Sequence, residues 1–409
     1  MHIAFVLPRF YPYRGGYENS LLSLAKHLAG RGHRVTVFTT VADDLEAFWL
    51  PGRKTFPVEQ ITVDGVTVRR FPISYNKTLR RMSRLLGMLP HWRWKAQFWR
   101  PSFRIPGLYE ALRAVDADLF HIGPLPYTNL MYAGLQAAEV RGVPMVATPC
   151  AHLGEEGNDE VARHYLQPYQ LKILQRCSKI FCMTNTELQM LERLGVTADK
   201  VVLPCGIDQE LVVGGNSEYL RETYGVDGPV VMQLAVKTFE KGSVTLLDAM
   251  KVLWKGGSNA WLVMAGPTMS DFERYMAANA PASPRLLNLP AFADEEKRDL
   301  LAAATVVAQP SRVESLGLVM LEAWANGKPV IAANIAVSRE LVTESGGGVV
   351  VPFGDAGALA DAIEKLLADS DLRRMMGLGG QKKALEYEGS KLRQQTAEEM
   401  ERVVEMRKK

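Results

Sequence analysis

The sequence predicts an α/β chain built from two doubly wound, Rossmann-like parallel sheets. Short apolar runs alternate with helical patterns, and this βαβ rhythm starts again after a turn-rich stretch at residues 204–208. The chain has 409 residues, 47% of them hydrophobic, which is too long for one compact domain and sufficient for two cores. We therefore expect one domain over residues 1–206 and a second over residues 207–385.

Five strand candidates in each half carry this rhythm. In the first half they are residues 3–7, 34–39, 119–122, 145–148 and 179–183. In the second half they are residues 230–234, 260–264, 306–308, 329–332 and 348–351. Ligands of such sheets bind beyond the carboxyl ends of the strands, so we expect the chemistry in a cleft between two facing halves.

The most informative segment is residues 310–331, which read PSRVESLGLVMLEAWANGKPVI. A helix is predicted over residues 318–326, ended by Gly327 and followed by a strand. Backbone N–H groups around Gly317, Leu318 and Val319 would point at a phosphate, and Gly317 lets the ligand approach the backbone closely. Two carboxylates flank this helix start, one at Glu314 and the other at Glu322. Taken alone, they are more typical of solvated acids near a helix N-terminus than of a binding site.

The pattern P-S-x-x-E-S-x-G-L-x-x-x-E-A-x-A-x-G-x-P-V-I resembles the donor-site signature of the retaining nucleotide-sugar glycosyltransferases of family 4, which have the GT-B fold. The resemblance extends over nearly the whole chain, and residues 314–331 are its most specific block. It implies that Glu314 binds the donor sugar and Glu322 the ribose. It also implies that a last helix, residues 386–409, packs back on the first domain.

The loop after the first strand contains Gly15 and Gly16, followed by Glu18. Paired glycines are commonly a plain turn. The family has a similar G-G-x-E start, and the resemblance implies that Gly15 lies on the acceptor side and Gly16 on the donor side.

Two histidines match family positions in the first half. The segment Thr148-Pro-Cys150-Ala-His152 resembles the family's T-P-H-x-H, with Cys150 in place of the first histidine. The resemblance implies that His152 contacts the reacting sugar or an acceptor hydroxyl and that His121 lies on the acceptor side. Loop and packed histidines without such roles are the alternatives.

The family's G-R-x-x-x-x-K-G segment, which binds the donor diphosphate, is only partly matched. Lys241 and Gly242 match its end, but Val236 occupies the arginine position. Losing such a charged donor ordinarily weakens transition-state stabilisation by about 2–4 kcal/mol. Lys237 would supply the missing charge if the loop were rearranged, since neighbouring residues of a strand point to opposite faces.

Composition narrows the possible cofactors, partners and compartment. A net charge of +3 from 48 basic and 45 acidic residues gives no general case for nucleic acid. The four cysteines fit no zinc spacing, and Asp116-Ala-Asp118, although a D-x-D tripeptide, precedes a strand where acids are common. The amino terminus enters a strand without a signal peptide, so we expect a cytoplasmic protein with reduced thiols. The family resemblance implies a reaction that needs no metal or other cofactor.

Residues 69–104 contain ten Lys or Arg, no acidic residue, and several aromatic side chains, among them Trp92, Trp94, Phe98 and Trp99. This composition predicts peripheral contact with an anionic membrane, such as the inner membrane face, or binding of a lipid-linked or anionic acceptor. A solvated helix face with packed aromatic residues is the alternative.

These features together predict a retaining hexosyltransferase. It would move a sugar from a nucleotide sugar to a carbohydrate, lipid-linked or small-molecule acceptor hydroxyl, in cell-surface polysaccharide or glycolipid synthesis. A catalytically weakened nucleotide-sugar-binding relative is one alternative, favoured by Val236. Another GT-B enzyme, such as a phosphorylase or an epimerase, is the other.

Overall fold

A computed structural model describes residues 1–13, 15–98, 103–158, 160–281 and 283–408. The chain forms two compact units. Unit 1 comprises Met1–Ala151, Ala162–Cys205 and Ser390–Lys409, and unit 2 comprises His152–Val161 and Gly206–Gly389. Each unit has its own largely parallel sheet with helices, which confirms the predicted fold class.

The described part of unit 1 contains an eight-stranded sheet in the order β3-β4-β2-β1-β5-β6-β7-β8. Only β3 runs antiparallel to its neighbour. The strands are β1 (His2–Val6), β2 (Arg34–Thr40), β3 (Gln60–Val63), β4 (Val66–Phe71), β5 (Leu119–Ile122), β6 (Met145–Ala147), β7 (Lys179–Cys182) and β8 (Lys200–Val202). Strands β1, β5, β6 and most of β7 are buried along their length, as expected for inner strands of a parallel sheet.

The described part of unit 2 contains a six-stranded parallel sheet in the order β11-β10-β9-β12-β13-β14. Its strands are β9 (Val230–Leu234), β10 (Trp261–Ala265), β11 (Leu286–Leu289), β12 (Val306–Gln309), β13 (Val330–Ala333) and β14 (Gly348–Val351). Leu246, Leu262 and Ile363 belong to a buried apolar cluster that joins this sheet to its helices. This core holds the strand ends from which the loops of the site extend.

The helices follow the expected alternation with the strands. Those before residue 206 are α1 (Gly16–Gly30), α2 (Lys77–Gly87), α3 (Trp92–Phe98), α4 (Leu108–Ala114), α5 (Thr128–Arg141), α6 (Glu160–Tyr165), α7 (Pro168–Leu174) and α8 (Asn185–Arg193). Those after it are α9 (Gln209–Val212), α10 (Tyr219–Tyr224), α11 (Ser243–Lys255), α12 (Ser270–Asn279), α13 (Asp294–Ala303), α14 (Leu318–Ala325), α15 (Ala336–Ser345), α16 (Ala356–Ala368), α17 (Ser370–Ala384) and α18 (Gly389–Lys408). Two short 3₁₀ helices are Leu45–Phe48 and Leu385–Tyr387.

Helix α18 supplies the last part of unit 1. Glu401 accepts hydrogen bonds from Arg31 at 2.7 Å and forms a 2.7 Å contact with His33 Nε2. Lys179 of β7 pairs with Glu399 at 2.6 Å. These contacts hold the C-terminal helix against earlier elements of unit 1.

The strand order changes direction at β1 in unit 1 and at β9 in unit 2. Strand β1 lies between β2 and β5, and β9 lies between β10 and β12. Loops that leave the carboxyl ends of strands at such a switch point diverge and leave room for a ligand. The candidate ligand-binding loops are therefore those after β1 and β5 in unit 1, and after β9 and β12 in unit 2.

Within the described ranges, no helix combines the length and the low polarity needed to cross a bilayer.

Candidate functional site

The loops that follow β9 and β12 are fastened to each other. Gln309 at the end of β12 donates through Nε2 to the Leu234 carbonyl at the end of β9, at 2.8 Å. Farther out, the Arg312 backbone N–H donates to the Glu240 carbonyl at 3.0 Å. The two loops of the switch point therefore form one surface beyond the sheet.

Gly242 allows these loops to approach. Its φ is +70°, a left-handed conformation that favours glycine, and a Cβ there would lie 2.1 Å from the Pro310 carbonyl oxygen. Before it, the Lys241 carbonyl accepts a hydrogen bond from Gln233 Nε2 at 2.9 Å. Helix α11 thus starts against the β12 loop, and Lys241 is held at its entrance.

Lys241 and Glu314 form an ion pair, although the sequence assigned them to different parts of the donor. The Lys241 ammonium donates to Glu314 Oε1 at 2.7 Å and to the Val313 carbonyl at 2.9 Å. Their side chains are 25% and 19% exposed, so an entering ligand can reach the pair. A diphosphate would compete with Glu314 for Lys241, while a sugar hydroxyl would compete with Lys241 for Glu314.

Helix α14 begins at Leu318, as the sequence predicts. Gly317 precedes it with φ +81°, which explains the glycine, since the atom a Cβ would meet first is the flexible end of Met320. The first amides of a helix, here those of Leu318 and Val319, have no carbonyl partner inside the helix and carry a partial positive charge. They lie within a few residues of Glu314, so the helix start predicted to bind an anion and Glu314 of the Lys241–Glu314 pair belong to one loop.

Trp324 holds helix α14 in place. Its indole is fully buried and donates from Nε1 to the Gly347 carbonyl at 2.8 Å. A Cβ on Gly380 would lie 2.2 Å from the indole, so the neighbouring helix α17 also needs glycine at this contact. The orientation of α14, and with it that of Glu322 two residues earlier, depends on this packing.

Glu322 is buried, and only one of its two carboxylate oxygens has a partner among the described residues. Its Oε1 pairs with Lys297 Nζ of α13 at 2.5 Å. Its Oε2 is buried and, among the described residues, has no hydrogen-bond partner. A buried carboxylate oxygen without a donor costs free energy, and a ligand hydroxyl would satisfy it. Lys297 was missed by the sequence reasoning because it lies in a charged helical run that is typical of a solvated face.

Lys237 is buried, and its ammonium is held by two hydrogen bonds within unit 2. Its ammonium is buried and donates to Asn288 Oδ1 at 2.5 Å and to the Leu289 carbonyl at 2.6 Å. Burial lowers the pKa of Lys237 to about 8. A diphosphate role would require breaking both hydrogen bonds and stays a prediction, while Val236 beside it leaves the arginine position uncharged.

In unit 1, the loop after β1 brings Gly15 against Glu18. A Cβ on Gly15 would lie 2.3 Å from Glu18 Oε2 and 2.7 Å from the Tyr13 ring. Glu18 in turn contacts Arg9 at 3.4 Å, and the Arg9 guanidinium lies 3.8 Å from the centre of the Tyr13 ring. Close packing therefore accounts for Gly15, and Gly16 is the first residue of α1. Their roles toward donor and acceptor stay predictions.

His121 lies in the core of unit 1. It is fully buried on β5, contacts the Phe5 ring at 4.8 Å, and forms a hydrogen bond between Nε2 and Thr148 Oγ1 at 2.8 Å. Burial lowers the pKa of His121 to about 3, so it is neutral. These contacts fit the packed alternative, and an acceptor contact of His121 stays a prediction.

His152 begins a segment, residues 152–161, that belongs to unit 2, although the preceding and following residues belong to unit 1. Ala336 N donates to the Gly154 carbonyl at 3.0 Å, and Glu155 forms a β-bridge with Ile335. The acceptor-side segment of the sequence is thus built into the unit that contains Lys241 and Glu314.

Arg312 secures this segment. Its guanidinium, 11% exposed, pairs with Glu160 at 2.9 Å and lies 3.9 Å from Glu155 and 3.7 Å from Glu240. Arg312 occupies an unspecified position just before the specific block of residues 314–331, and the sequence reasoning gave it no role because its acidic partners come from distant parts of the chain. In the parts of the chain that the structure describes, no group of three or more His, Cys, Asp or Glu residues is arranged to hold a metal ion.

Comparisons with known proteins identify the family and the fold. A model of the family "Glycosyl transferases group 1" matches residues 220–383, and a model of the "Glycosyl transferase 4-like domain" matches residues 15–206. Phosphatidyl-myo-inositol mannosyltransferase of Mycolicibacterium smegmatis is 27% identical over 91% of this chain and 86% of that protein. D-inositol 3-phosphate glycosyltransferase of Nocardia farcinica is 27% identical over 89% of this chain and 79% of that protein.

Solved structures share the fold. Sucrose-phosphate synthase from Thermosynechococcus elongatus aligns over 98% of both chains with a TM-score of 0.75 and 19% identity. The Anabaena protein HepE, in complex with UDP and glucose, aligns over 98% of this chain and 99% of that one with a TM-score of 0.72 and 20% identity. The chain belongs to the group 1 glycosyltransferases with a family 4-like amino-terminal domain and the GT-B fold.

Proposed function

We propose that this protein transfers a hexose from a nucleotide-diphosphate sugar to an acceptor hydroxyl with retention of anomeric configuration. The observation that carries the proposal is the Lys241–Glu314 pair beside the first turn of α14, with the unpartnered oxygen of Glu322 on the same helix. One cation, one anion site and two carboxylates are the groups that a diphosphate, a sugar and a ribose need.

In this mechanism Lys241 and the first amides of α14 bind the diphosphate. Glu314 accepts hydrogen bonds from the sugar hydroxyls, and Glu322 accepts one from the ribose. The bond between the anomeric carbon and the diphosphate breaks on the same face on which the acceptor oxygen bonds. The acceptor proton passes to the leaving phosphate oxygen, so no carboxylate nucleophile is required.

Positive groups of the chain itself support a metal-independent reaction. The Lys241 ammonium and the helix dipole of α14 stabilise the charge that develops on the leaving diphosphate. His152 is proposed to hydrogen-bond the reacting sugar or the acceptor hydroxyl. Lys237 and Gly16 are proposed to lie on the donor side, and Gly15 and His121 on the acceptor side.

Incubating the purified protein with a panel of nucleotide sugars tests this proposal. Transfer to an added acceptor, an unchanged anomeric configuration in the NMR spectrum, and activity that persists in EDTA are expected. Nucleotide binding without turnover would favour a catalytically weakened relative, for which Val236 is the supporting feature. Phosphate-dependent cleavage or epimerisation would identify a different GT-B reaction.

We also propose that the acceptor lies at an anionic membrane, on the cytoplasmic side of the cell. Met82, Leu85 and Met88 are 53%, 66% and 64% exposed, at the helical spacing of one face of α2 and the turn after it. Leu89 and Trp94 are also exposed. The named activities of two relatives, on phosphatidyl-myo-inositol and on inositol 3-phosphate, fit a lipid-linked or small-molecule polyol acceptor.

Some cations of residues 69–104 have partners within the protein, and others are exposed. Arg70 pairs with Glu59, Arg93 with Glu139, and Arg104 with Ser83. Lys77, Arg81 and Arg84 of α2 are exposed beside the apolar face. Phe98 is buried, and Trp99 and Arg100 lie outside the described residues. Each cation near an anionic leaflet adds about 1 kcal/mol of attraction, which salt weakens.

Sedimentation with vesicles tests the membrane proposal. Binding to acidic vesicles at low salt is expected to exceed binding to neutral vesicles, and the double variant Leu85→Ser, Met88→Ser should reduce it. The matched control is Met375→Ser, Leu378→Ser, because these residues of α17 are 61% and 58% exposed. Equal loss in both variants, or binding that ignores lipid charge, contradicts the proposal.

A further inference from the structure

Glu187 is a fully buried carboxylate in unit 1 that the proposed reaction does not use. It lies in the first turn of α8. Its Oε1 accepts a hydrogen bond from the Ala151 backbone N–H at 2.7 Å, and its Oε2 accepts one from the Met183 backbone N–H at 2.6 Å. The Glu187 N–H donates to Thr184 Oγ1, the N-cap of the helix, at 3.1 Å.

The two amides come from neighbouring strands. Met183 directly follows β7, and Ala151 lies four residues after the end of β6, which pairs with β7. Beyond the strand ends the sheet offers no carbonyl to such amides, so buried N–H groups need another acceptor. One carboxylate satisfies both and cross-links the two loops.

The turn that Glu187 holds is conformationally unusual. Cys150, the residue before Ala151, has φ +49°, a left-handed conformation that side chains other than those of Asn and Asp seldom adopt. His152 follows Ala151, and the chain passes there from unit 1 into the segment that belongs to unit 2. Because a peptide bond joins Ala151 to His152, a contact that fixes the position of Ala151 also restricts the position at which the His152 segment starts.

Only an ionised carboxylate fits both hydrogen bonds. A carboxylate accepts with both oxygens, whereas a carboxylic acid or an amide presents one donor and has one fully accepting oxygen. Among the described residues, titratable groups that interact with Glu187 include Tyr17 of α1, Cys182 of β7 and Cys205 after β8. None of them supplies a positive charge.

We propose that Glu187 is a positioning residue whose ionised carboxylate holds the turn at Cys150 and Ala151, and thereby the start of the His152 segment. Its catalytic consequence rests on the proposed function, whereas the hydrogen bonds that it makes do not.

This arrangement predicts a response to pH. Burial raises the pKa of Glu187 to about 7 from its ordinary 4.5, and the two backbone hydrogen bonds oppose that rise. Below about pH 7 the carboxyl gains a proton and one of the two amides loses its acceptor. Because the pKa is raised, the folded state binds the proton more tightly than the unfolded state. The stabilisation from this proton is complete below pH 4.5 and is lost as the pH rises from 4.5 to about 7. Lowering the pH therefore loosens the turn locally while it adds to the free energy of unfolding.

Amide hydrogen exchange of Glu187→Gln tests the proposal without any substrate. At pH 8 the exchange of the Ala151 or Met183 amide should accelerate about tenfold relative to the wild type. At pH 6, where the wild type is itself protonated, the difference should shrink. The matched control is Glu192→Gln, an exposed residue of the same helix, which should behave as the wild type.

Kinetics then connect the turn to the reaction. Glu187→Gln should raise KM for the acceptor about tenfold with nucleotide-diphosphate affinity unchanged, and Glu187→Asp, which keeps the charge, should recover part of the loss. Unchanged exchange of both amides at pH 8 overturns the proposal, whatever the activity. Faster exchange in a protein whose wild type transfers no sugar supports the clamp and overturns the proposed function instead. If Glu187→Gln does not fold, the wild-type exchange at pH 6 and pH 8, corrected for intrinsic rates, decides.

Discussion

Two charged regions of the molecule differ in how their charges are compensated. In residues 310–331 of unit 2, each of the two glutamates meets a lysine, Lys241 for Glu314 and Lys297 for Glu322. On α2 of unit 1, Lys77, Arg81 and Arg84 are exposed beside apolar side chains. Partly buried charges that are compensated by partners of opposite sign suit one particular ligand, whereas exposed charges of one sign suit an extended surface.

The comparison also shows how a binding site can be stable before its ligand arrives. A buried carboxylate without a partner would be costly, and a lysine from another element lowers that cost. Under the proposed function, these partners are exchanged for ligand groups on binding. The charges on α2 need no such partner because water solvates them.

The largest effect is expected from Lys241→Met, which removes the cation from the unit 2 site. Turnover should fall by about 10²–10³-fold, since one charged donor to a developing anion contributes about 2.7–4 kcal/mol. Steady-state kinetics on the best nucleotide sugar measure this. Lys255→Met, on the exposed end of the same helix, is the control and should retain full activity. Similar losses in both variants would remove Lys241 from the diphosphate site.

Glu322→Ala should weaken nucleotide-diphosphate binding by about 1.5–3 kcal/mol, because a charged acceptor of the ribose hydroxyl is lost. Calorimetric titration measures the affinity, and thermal unfolding shows whether leaving Lys297 unpaired affects the fold. Glu295→Ala, an exposed acid of α13, serves for comparison. An unchanged affinity in a folded Glu322→Ala protein would contradict the assignment to the ribose.

Glu314→Gln should lower turnover about tenfold while largely sparing nucleotide-diphosphate affinity, because this side chain is assigned to the sugar. The two quantities are compared by kinetics and by titration with the nucleotide diphosphate alone. If both fall together, Glu314 acts mainly by holding Lys241, at 2.7 Å, and the sugar site lies elsewhere.

The smallest effect is expected from Val236→Arg, which restores the family's arginine position. A new charge-assisted hydrogen bond should raise diphosphate affinity about threefold to tenfold. Lys237→Ala tests the alternative that Lys237 already fills the role of the missing arginine. This alternative is supported if Lys237→Ala is damaging while Val236→Arg gains nothing. The buried lysine would then act in this loop while bonded to Asn288 and Leu289.

The sequence predicted the inner strands of both sheets well, because a strand buried on both faces is a continuous apolar run. It missed β3, β4, β8 and β11. Strands β3 and β8 are short and at most half-buried, and β11 is half-buried over most of its length, so none has such a run. Strand β4 includes Arg69 and Arg70, which the composition placed in a basic segment.

For the site, the sequence by itself determined where α14 starts, and it predicted that this loop binds the donor together with Glu314, Glu322 and Lys241. The start of α14 is a local feature, because a glycine with positive φ, a helix start and its flanking acids lie within a few residues of each other, whereas Lys241 was assigned through its resemblance to the family's K-G segment. Only the tertiary structure decided that Lys241 pairs with Glu314, that Lys297 pairs with Glu322, and that Arg312 secures the segment of His152. Only the tertiary structure also showed that Glu187 accepts hydrogen bonds from the backbone amides of two loops. The physical reason is that a charge is compensated by whatever the fold brings within a few ångströms, and no local pattern records partners that lie tens of residues or more away.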